Sequence, residues 1–260
     1  DLGTETSSKI SRLTFLNQLA VAMAAIPFAS FIYGMAKGAF NYKVHKHKVI
    51  LPNLPLAFNG LKIVQISDIH SGSFVSTTHL EEAVKIIQAQ KADVIFFTGD
   101  LVNNEATEME PFMEVFNKVT APMGVFSTLG NHDYGDYEKW PSVEAKVENM
   151  EAMYQLHKDL GWKLLNNDNV ILERNGDKIA IVGVENWGAS FRFPKKGDVS
   201  KARAGTEDIA FKILLSHDPS HWDAQVVKEH NDMDLMLAGH THGFQFGIEI
   251  PGFKWSPSKW

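Results

Sequence analysis

The chain has 260 residues and no cysteine. Disulfide frameworks and thiolate metal sites are therefore excluded. Any bound metal must take its ligands from His, Asp, Glu, Asn or water, a set that suits Mn, Fe or Zn. Internal repeats and low-complexity stretches are missing, which sets aside solenoids and disordered arrays. Acids are scarce at the N-terminal end: residues 1–60 hold six Lys/Arg against two Asp/Glu, whereas residues 61–260 hold nineteen against twenty-nine. An acidic domain of this kind makes a poor nucleic-acid binder, because binding the phosphate backbone needs a basic surface. No nucleic-acid partner is expected.

Leu13–Ala36 lacks charge across 24 positions. At 1.5 Å per residue that run can cross a bilayer core of about 30 Å. Asn17, Gln18, Pro27 and Ser30 interrupt it. A buried or surface-lying helix is the alternative, but a transmembrane anchor over 13–36 is the reading adopted. It follows a polar segment over 1–12 and precedes a juxtamembrane linker over 37–60. Lys9 and Arg12 precede the run, and Lys37, Lys43, Lys46 and Lys48 follow it. That count favours a cytoplasmic C-terminal side. Ser11-Arg12-Leu13-Thr14-Phe15-Leu16 instead resembles a twin-arginine export signal with its second arginine missing, so the side stays open. With no initiator Met and no clear cleavage site, the sequence is read as a fragment of a longer chain. His45 and His47 lie in a lysine-rich stretch that reads as a solvated segment near the headgroups.

From Leu61 onward, short apolar runs alternate with helical spacings. Strands are predicted at Leu61–Ser67, Val94–Thr98, Gly124–Leu129, Lys163–Leu165, Val170–Arg174, Lys178–Val184, Phe211–Ser216 and Leu235–Ala238. Helices are predicted at Thr78–Gln90, Pro111–Val119, Val143–Leu160 and Pro219–Glu229. Asn175-Gly176 signals a hairpin. This alternation argues an α/β sandwich with mixed sheets over 61–260.

Five polar islands end these runs: Asp68-Ile69-His70, Gly99-Asp100, Gly130-Asn131-His132-Asp133, Ser216-His217 and Gly239-His240-Thr241-His242. A strand that stops in a carboxylate or imidazole aims that group at the sheet edge. Five such edges offer enough N and O ligands for two divalent metals, which points to metal-assisted attack on phosphorus. The glycines let the backbone turn tightly after each strand.

The order Asp-x-His, Gly-Asp, Gly-Asn-His-Asp, His, Gly-His-x-His resembles the calcineurin-like metallophosphoesterase family over residues from about 61 to 250. The anchor followed by Leu61-Lys62-Ile63-Val64-Gln65-Ile66-Ser67-Asp68 resembles its membrane-anchored, bacterial-type branch. The resemblance implies a four-layer α/β/β/α sandwich and two divalent or trivalent cations (Mn, Fe or Zn). Asp68, His70 and His242 would hold one cation, and Asn131, His217 and His240 the other. Asp100 would bridge both, and a metal-bridging hydroxide would attack phosphorus. His132 would face the substrate, to protonate the leaving oxygen or stabilise developing charge, with Asp133 hydrogen-bonded to it. Phosphorylated lipids or lipid-linked diphosphates of the UDP-diacylglucosamine type are the implied substrates. The alternatives are a nuclease or cyclic-nucleotide phosphodiesterase, or a metal-stabilised membrane scaffold without turnover.

Residues 185–203 read as an aromatic, cationic loop over the site, either with Trp187 and Arg192 as substrate contacts or simply as a packed loop. His221, opening a helix near the same edge, is a third substrate-side residue. His79, His157 and His230 read as surface residues. Only eighteen residues follow His242, so the domain is expected to be incomplete at its C-terminal end.

Overall fold

A computed structural model describes residues 10–36, 38–242, 248–250 and 252–255. The chain divides into two compact units, Asp1–His47 and Lys48–Trp260. In the first, Arg12–Ala36 forms one helix, α1, with every described side chain exposed. Its stretch Arg12–Gly34 is long and apolar enough to cross a membrane.

The second unit is built on two sheets. The first sheet has strands β1 (Ile63–Ile66), β2 (Val94–Thr98), β3 (Val125–Thr128) and β4 (Lys163–Leu164), in that order and all parallel. The second has β5 (Asp168–Arg174), β6 (Asp177–Gly183), β7 (Lys212–Leu215) and β8 (Leu235–Leu237). There β5 runs antiparallel to β6, and the other pairs are parallel. The β5–β6 turn is Asn175-Gly176, both at positive φ, as that hairpin signal requires.

Side chains alternate across each strand. Ile95 and Phe97 join an outer core with Leu80, Val84, Met153 and Leu156, contributed by helices α2 (Thr78–Ala89) and α4 (Val143–Asp159). Val94 and Phe96 instead meet Ile179, Ile181, Ile213 and Leu215 between the sheets. Ala180, Val182 and Leu214 face a third core with Val199, Ala202 and Val226. Helix on sheet on sheet on helix is the expected four-layer α/β/β/α order.

Several boundaries differ from expectation. The segment 106–116 begins as a 3₁₀ stretch, Ala106–Phe112, that contains Pro111, and only Met113–Phe116 (α3) is α-helical. Glu105 and Glu108 form a capping box that fixes the tighter start. The helix predicted over Pro219–Glu229 opens with a π-type turn, Trp222–Val226, and only Val227–Glu229 is α-helical. Half of the expected linker is packed: Phe58 is buried in the inter-sheet core with Leu51, Leu54 and Ala57 beside it. After His242, Ile248–Ile250 and Phe253–Trp255 (β9 and β10) form a separate antiparallel pair.

Candidate metal centre

In parallel strands all C-terminal ends share one edge, where open α/β sheets place their ligand sites. Strands β1, β2 and β3 therefore deliver Asp68, Asp100 and Asn131 together, and β7 and β8 deliver His217 and His240. The two sheets are joined at this edge. His217 Nδ1–H donates to Thr98 O at 2.6 Å, and the His240 N–H reaches both Asp68 oxygens at 3.0 and 3.1 Å. Gln65 Nε2 adds a bond to Ala238 O at 2.7 Å.

The backbone at the edge is bent into an uncommon shape. Asp68, His70, Asp100, His240 and His242 all lie in the left-handed region, with φ of 53°, 49°, 61°, 71° and 51°. Each costs about 1–2 kcal/mol for an L residue. Such strain persists where the surroundings over-determine it, most often at functional sites. Gly99 and Gly130 are needed where the β2 and β3 loops touch. Gly99 has φ of 95°, and a Cβ on Gly130 would lie 2.6 Å from the Asp100 nitrogen.

Two donor groups result. Asp68, His70, Asp100 and His242 form one, and Asp100, His217 and His240 the other; within each group the ligand atoms lie within 4.8 Å of one another. Asp100 belongs to both. Its Oδ1 accepts from the His132 N–H at 2.9 Å. Its Oδ2 lies 3.6 Å from His70 Nε2 and 3.0 Å from His217 Nε2. Asn131, the remaining expected ligand, is buried beside His132, whose N–H donates to Asp100.

The residues fit bound metal. His70 Nε2 and Asn131 Oδ1 are buried and have no hydrogen-bond partner. Buried polar atoms are rarely left so, and each is a competent ligand, the imidazole for a borderline cation such as Fe or Zn and the amide oxygen for a harder one such as Mn. In His70 and His217 the other ring nitrogen is committed to a protein oxygen. His70 Nδ1 meets Asn103 Oδ1 at 3.1 Å, and His217 Nδ1 meets Thr98 O. Asn131 Nδ2 donates to Tyr137 Oη at 2.9 Å, which leaves Oδ1 to face the site.

Proton affinities follow the crowding of charge. Burial lowers the His217 imidazole, but the hydrogen bond and charge of Asp100 outweigh it and raise the group to about 9. Burial likewise opposes ionisation of Asp100, yet the partnership with His217 holds its carboxyl below the usual range. Burial pushes His70 and His240 down, which keeps them neutral and able to ligate.

The expected contact between Asp133 and His132 is replaced by others. Asp133 does not orient the His132 ring. Its two oxygens accept four backbone N–H groups: Asp100 at 2.9 Å, Gly130 at 2.8 Å, Leu101 at 2.7 Å and Val102 at 3.2 Å. It clamps the β2 and β3 loops together beneath Asp100. Burial, then the Asp100 charge, raise Asp133 to about 7 against the pull of those donors. The His132 ring is fixed instead by Asn103, whose backbone oxygen accepts from Nδ1 at 2.8 Å. Asn103 thus holds both His70 and His132. Sequence reasoning passed over it because it carries no charge and stands outside the five islands.

The substrate-side residues are also redistributed. His221 is fully buried, with Nδ1 on Ser216 Oγ and Nε2 on Gln225 Oε1, both at 2.9 Å. Trp187 stacks on it at 4.4 Å. His221 is therefore a packed residue, while Trp187 remains half-buried. Arg192 is exposed, with its guanidinium 5.9 Å from the Phe191 ring. The aromatic of this loop that reaches the metal edge is Phe193, edge-on to His240 at 4.6 Å. Asp218, also passed over, lies 3.8 Å from His240 Nε2. Tyr137 stands 4.7 Å from the His132 ring. His157 is a core residue, not a surface one: burial drives it down to about 3, and Ser127 Oγ is its partner at 3.0 Å. His230 is buried too, and His79 is half-buried.

Comparison with known proteins agrees with this geometry. The family model for calcineurin-like phosphoesterase matches residues 61–244. The chain is 30% identical over 234 residues to a transmembrane protein with metallophosphoesterase domain from Danio rerio, covering 87% of this chain and 50% of that one. It is 30% identical over 250 residues to an uncharacterized metallophosphoesterase of Bacillus subtilis, covering 94% of this chain and 80% of that one. It is 28% identical over 242 residues to the UDP-2,3-diacylglucosamine pyrophosphatase LpxG of Chlamydia trachomatis, covering 77% and 70%. The chain therefore spans about half the length of the zebrafish relative. With the family model matching most of the chain, and the donor residues of that motif gathered at one edge, the protein belongs to the calcineurin-like phosphoesterase family of metal-dependent hydrolases.

Proposed function

We propose that the protein is a membrane-anchored, dinuclear metal-dependent hydrolase of phosphate esters or diphosphates that acts on lipid-linked substrates. The observation that carries this reading is the pair of donor groups sharing Asp100. Asp68, His70, Asp100 and His242 would hold one cation, and Asp100, Asn131, His217 and His240 the other. Mn, Fe or Zn suits this set of imidazoles and carboxylates. When bound, the cations polarise the phosphoryl group and make water acidic enough to attack near neutral pH.

The chain's own residues do the rest. The Nδ1–H of His132 is tied to the Asn103 carbonyl. That leaves Nε2 to exchange a proton with the substrate, so His132 is the group suited to protonate the leaving oxygen. Asp133 acts through Asp100: its four N–H bonds hold the bridging carboxylate in place. Asn103 acts through His70 and His132 in the same way. Helix α1 supplies the anchor, by length and composition. The lipid-linked substrate draws support from the chlamydial relative's name and from that helix. UDP-diacylglucosamine-type diphosphates are the first compounds to try.

Purified full-length protein, loaded with Mn²⁺, would be offered a panel of lipid-linked diphosphates, soluble nucleoside diphosphates and cyclic nucleotides. Preferred turnover of the lipid-linked compounds supports the reading. Preference for soluble nucleotides would replace it with a nucleotide phosphodiesterase, and no turnover with any metal would leave a scaffold.

A further inference from the structure

The loop between β6 and α5 (Val199–Ala202) differs in charge from the domain around it. Residues 186–197 include Arg192, Lys195 and Lys196 and no acid, within a domain where acids outnumber bases. The loop is tightly built. The Lys196 and Gly197 N–H groups donate to Asn186 O at 3.0 and 3.2 Å, and Ala189 N–H donates to Ser220 Oγ at 2.9 Å. Trp187 and Lys195 pair as an antiparallel bridge. Lys196 Nζ sits 3.7 Å over the buried Tyr134 ring.

At the tip of this anchored base, Phe191 is 92% exposed with Arg192 beside it. Two residues on, Phe193 touches the ligand His240. An aromatic ring left in water at the tip of this turn stabilises nothing within the domain. Rings and cations interleaved in this way suit the headgroup boundary of a membrane, where the ring enters the acyl region and the cations meet phosphates. Val75, 98% exposed on the loop after His70, and Tyr137, 52% exposed beside His132, add apolar surface on two other loops of the metal edge.

We propose that residues 189–196 form an interfacial finger, in which Phe191 enters a bilayer carrying anionic lipids while Arg192 and Lys195 engage their phosphates. This deepens the lipid-linked reading above by naming the surface that would set the metal edge against its substrate, but its test needs no turnover.

These 260 residues contain no cysteine, so a single introduced one takes the label alone. Ser190→Cys in the 260-residue chain would carry an environment-sensitive fluorophore, with Val143→Cys, 76% exposed on α4, as the control. Both would be reconstituted into phosphatidylcholine vesicles with and without phosphatidylglycerol. The label at 190 should shift to the blue and be quenched by nitroxide-bearing lipid. Both effects should weaken without phosphatidylglycerol or in high salt, and be lost when Phe191→Asp is added. A signal at 190 no greater than at 143, or one that survives Phe191→Asp, overturns the proposal. A shift that depends on protein concentration without vesicles would assign the surface to a second copy and also overturn it. Because no substrate is present, failure here leaves the hydrolase reading standing, and inactivity of the enzyme leaves this result unaffected.

Discussion

Adding cations to the cation-free protein at pH 7.5 should release a proton from His217. In that state the buried imidazole is held at about 9 by Asp100, so it is protonated at pH 7.5. A metal ligand must be neutral, so cation and proton compete for the same nitrogen. The rise from 6.5 to about 9 is worth about 3 kcal/mol, at 1.36 kcal/mol for each tenfold step. The sign is that of a folded-state value above the unfolded one. The ion pair's contribution is complete below pH 6.5 and is lost as pH rises through about 9. Apparent affinity at the His217 cation should therefore climb about tenfold per pH unit between 7 and 9 and level off above. Isothermal titration with Mn²⁺ in buffers of different ionisation enthalpy would count the protons, using detergent-solubilised full-length protein. His217→Ala should remove one proton from the count. Affinity that is flat from pH 7 to 9, or a count unchanged in His217→Ala, would refute the proposed competition.

Four further outcomes are expected. Asp133→Asn keeps the shape but turns an amide toward two buried N–H donors; at about 1–3 kcal/mol each it should cost about 2–6 kcal/mol, read by chemical denaturation, with loss of bound metal. His132→Ala should keep both cations and lose about 10²–10⁴-fold in turnover. That loss should shrink for a nitrophenyl ester, whose leaving group needs no proton; equal losses on good and poor leaving groups would make the role purely electrostatic. Asn103→Ala frees the His70 ring but keeps the backbone carbonyl under His132, so it should weaken metal affinity by about 10–100-fold with a smaller change in the pH profile, checked by competition with a chelator. Intact protein should stay in the membrane fraction in high salt and in carbonate, whereas a chain lacking residues 1–47 should not; release of both would remove the anchor.

The clustering of the candidate donors was legible because each follows a short apolar run that reads as a buried strand, and parallel strands bring their ends together whatever the loops do. The four layers were legible for the same reason: Phe96 and Phe97 are both apolar, so β2 must be covered on both faces. What lay outside the sequence is how loops pack on one another. Asp133 stands next to His132 in the chain, and adjacency suggested a contact. The turn at 132–134 instead directs the carboxylate into four N–H groups. Asn103 reaches His132 across 29 positions, a contact no local pattern encodes. His221 looked available because a residue opening a helix is usually solvated, yet Trp187 and Gln225 cover it. Phe58 looked like linker because its neighbours are Pro and Asn, and only the gap between the sheets shows where it goes.

The central claim is that Asp100 bridges two cations. Anomalous diffraction from crystals of the Mn-loaded protein, with elemental analysis of the same preparation, tests it most directly. The account predicts two cations per chain, one among Asp68, His70 and His242 and the other among Asn131, His217 and His240, with Asp100 touching both and both depleted in Asp100→Asn. A single cation in a fully loaded, active preparation, or two cations that persist in Asp100→Asn, would contradict it.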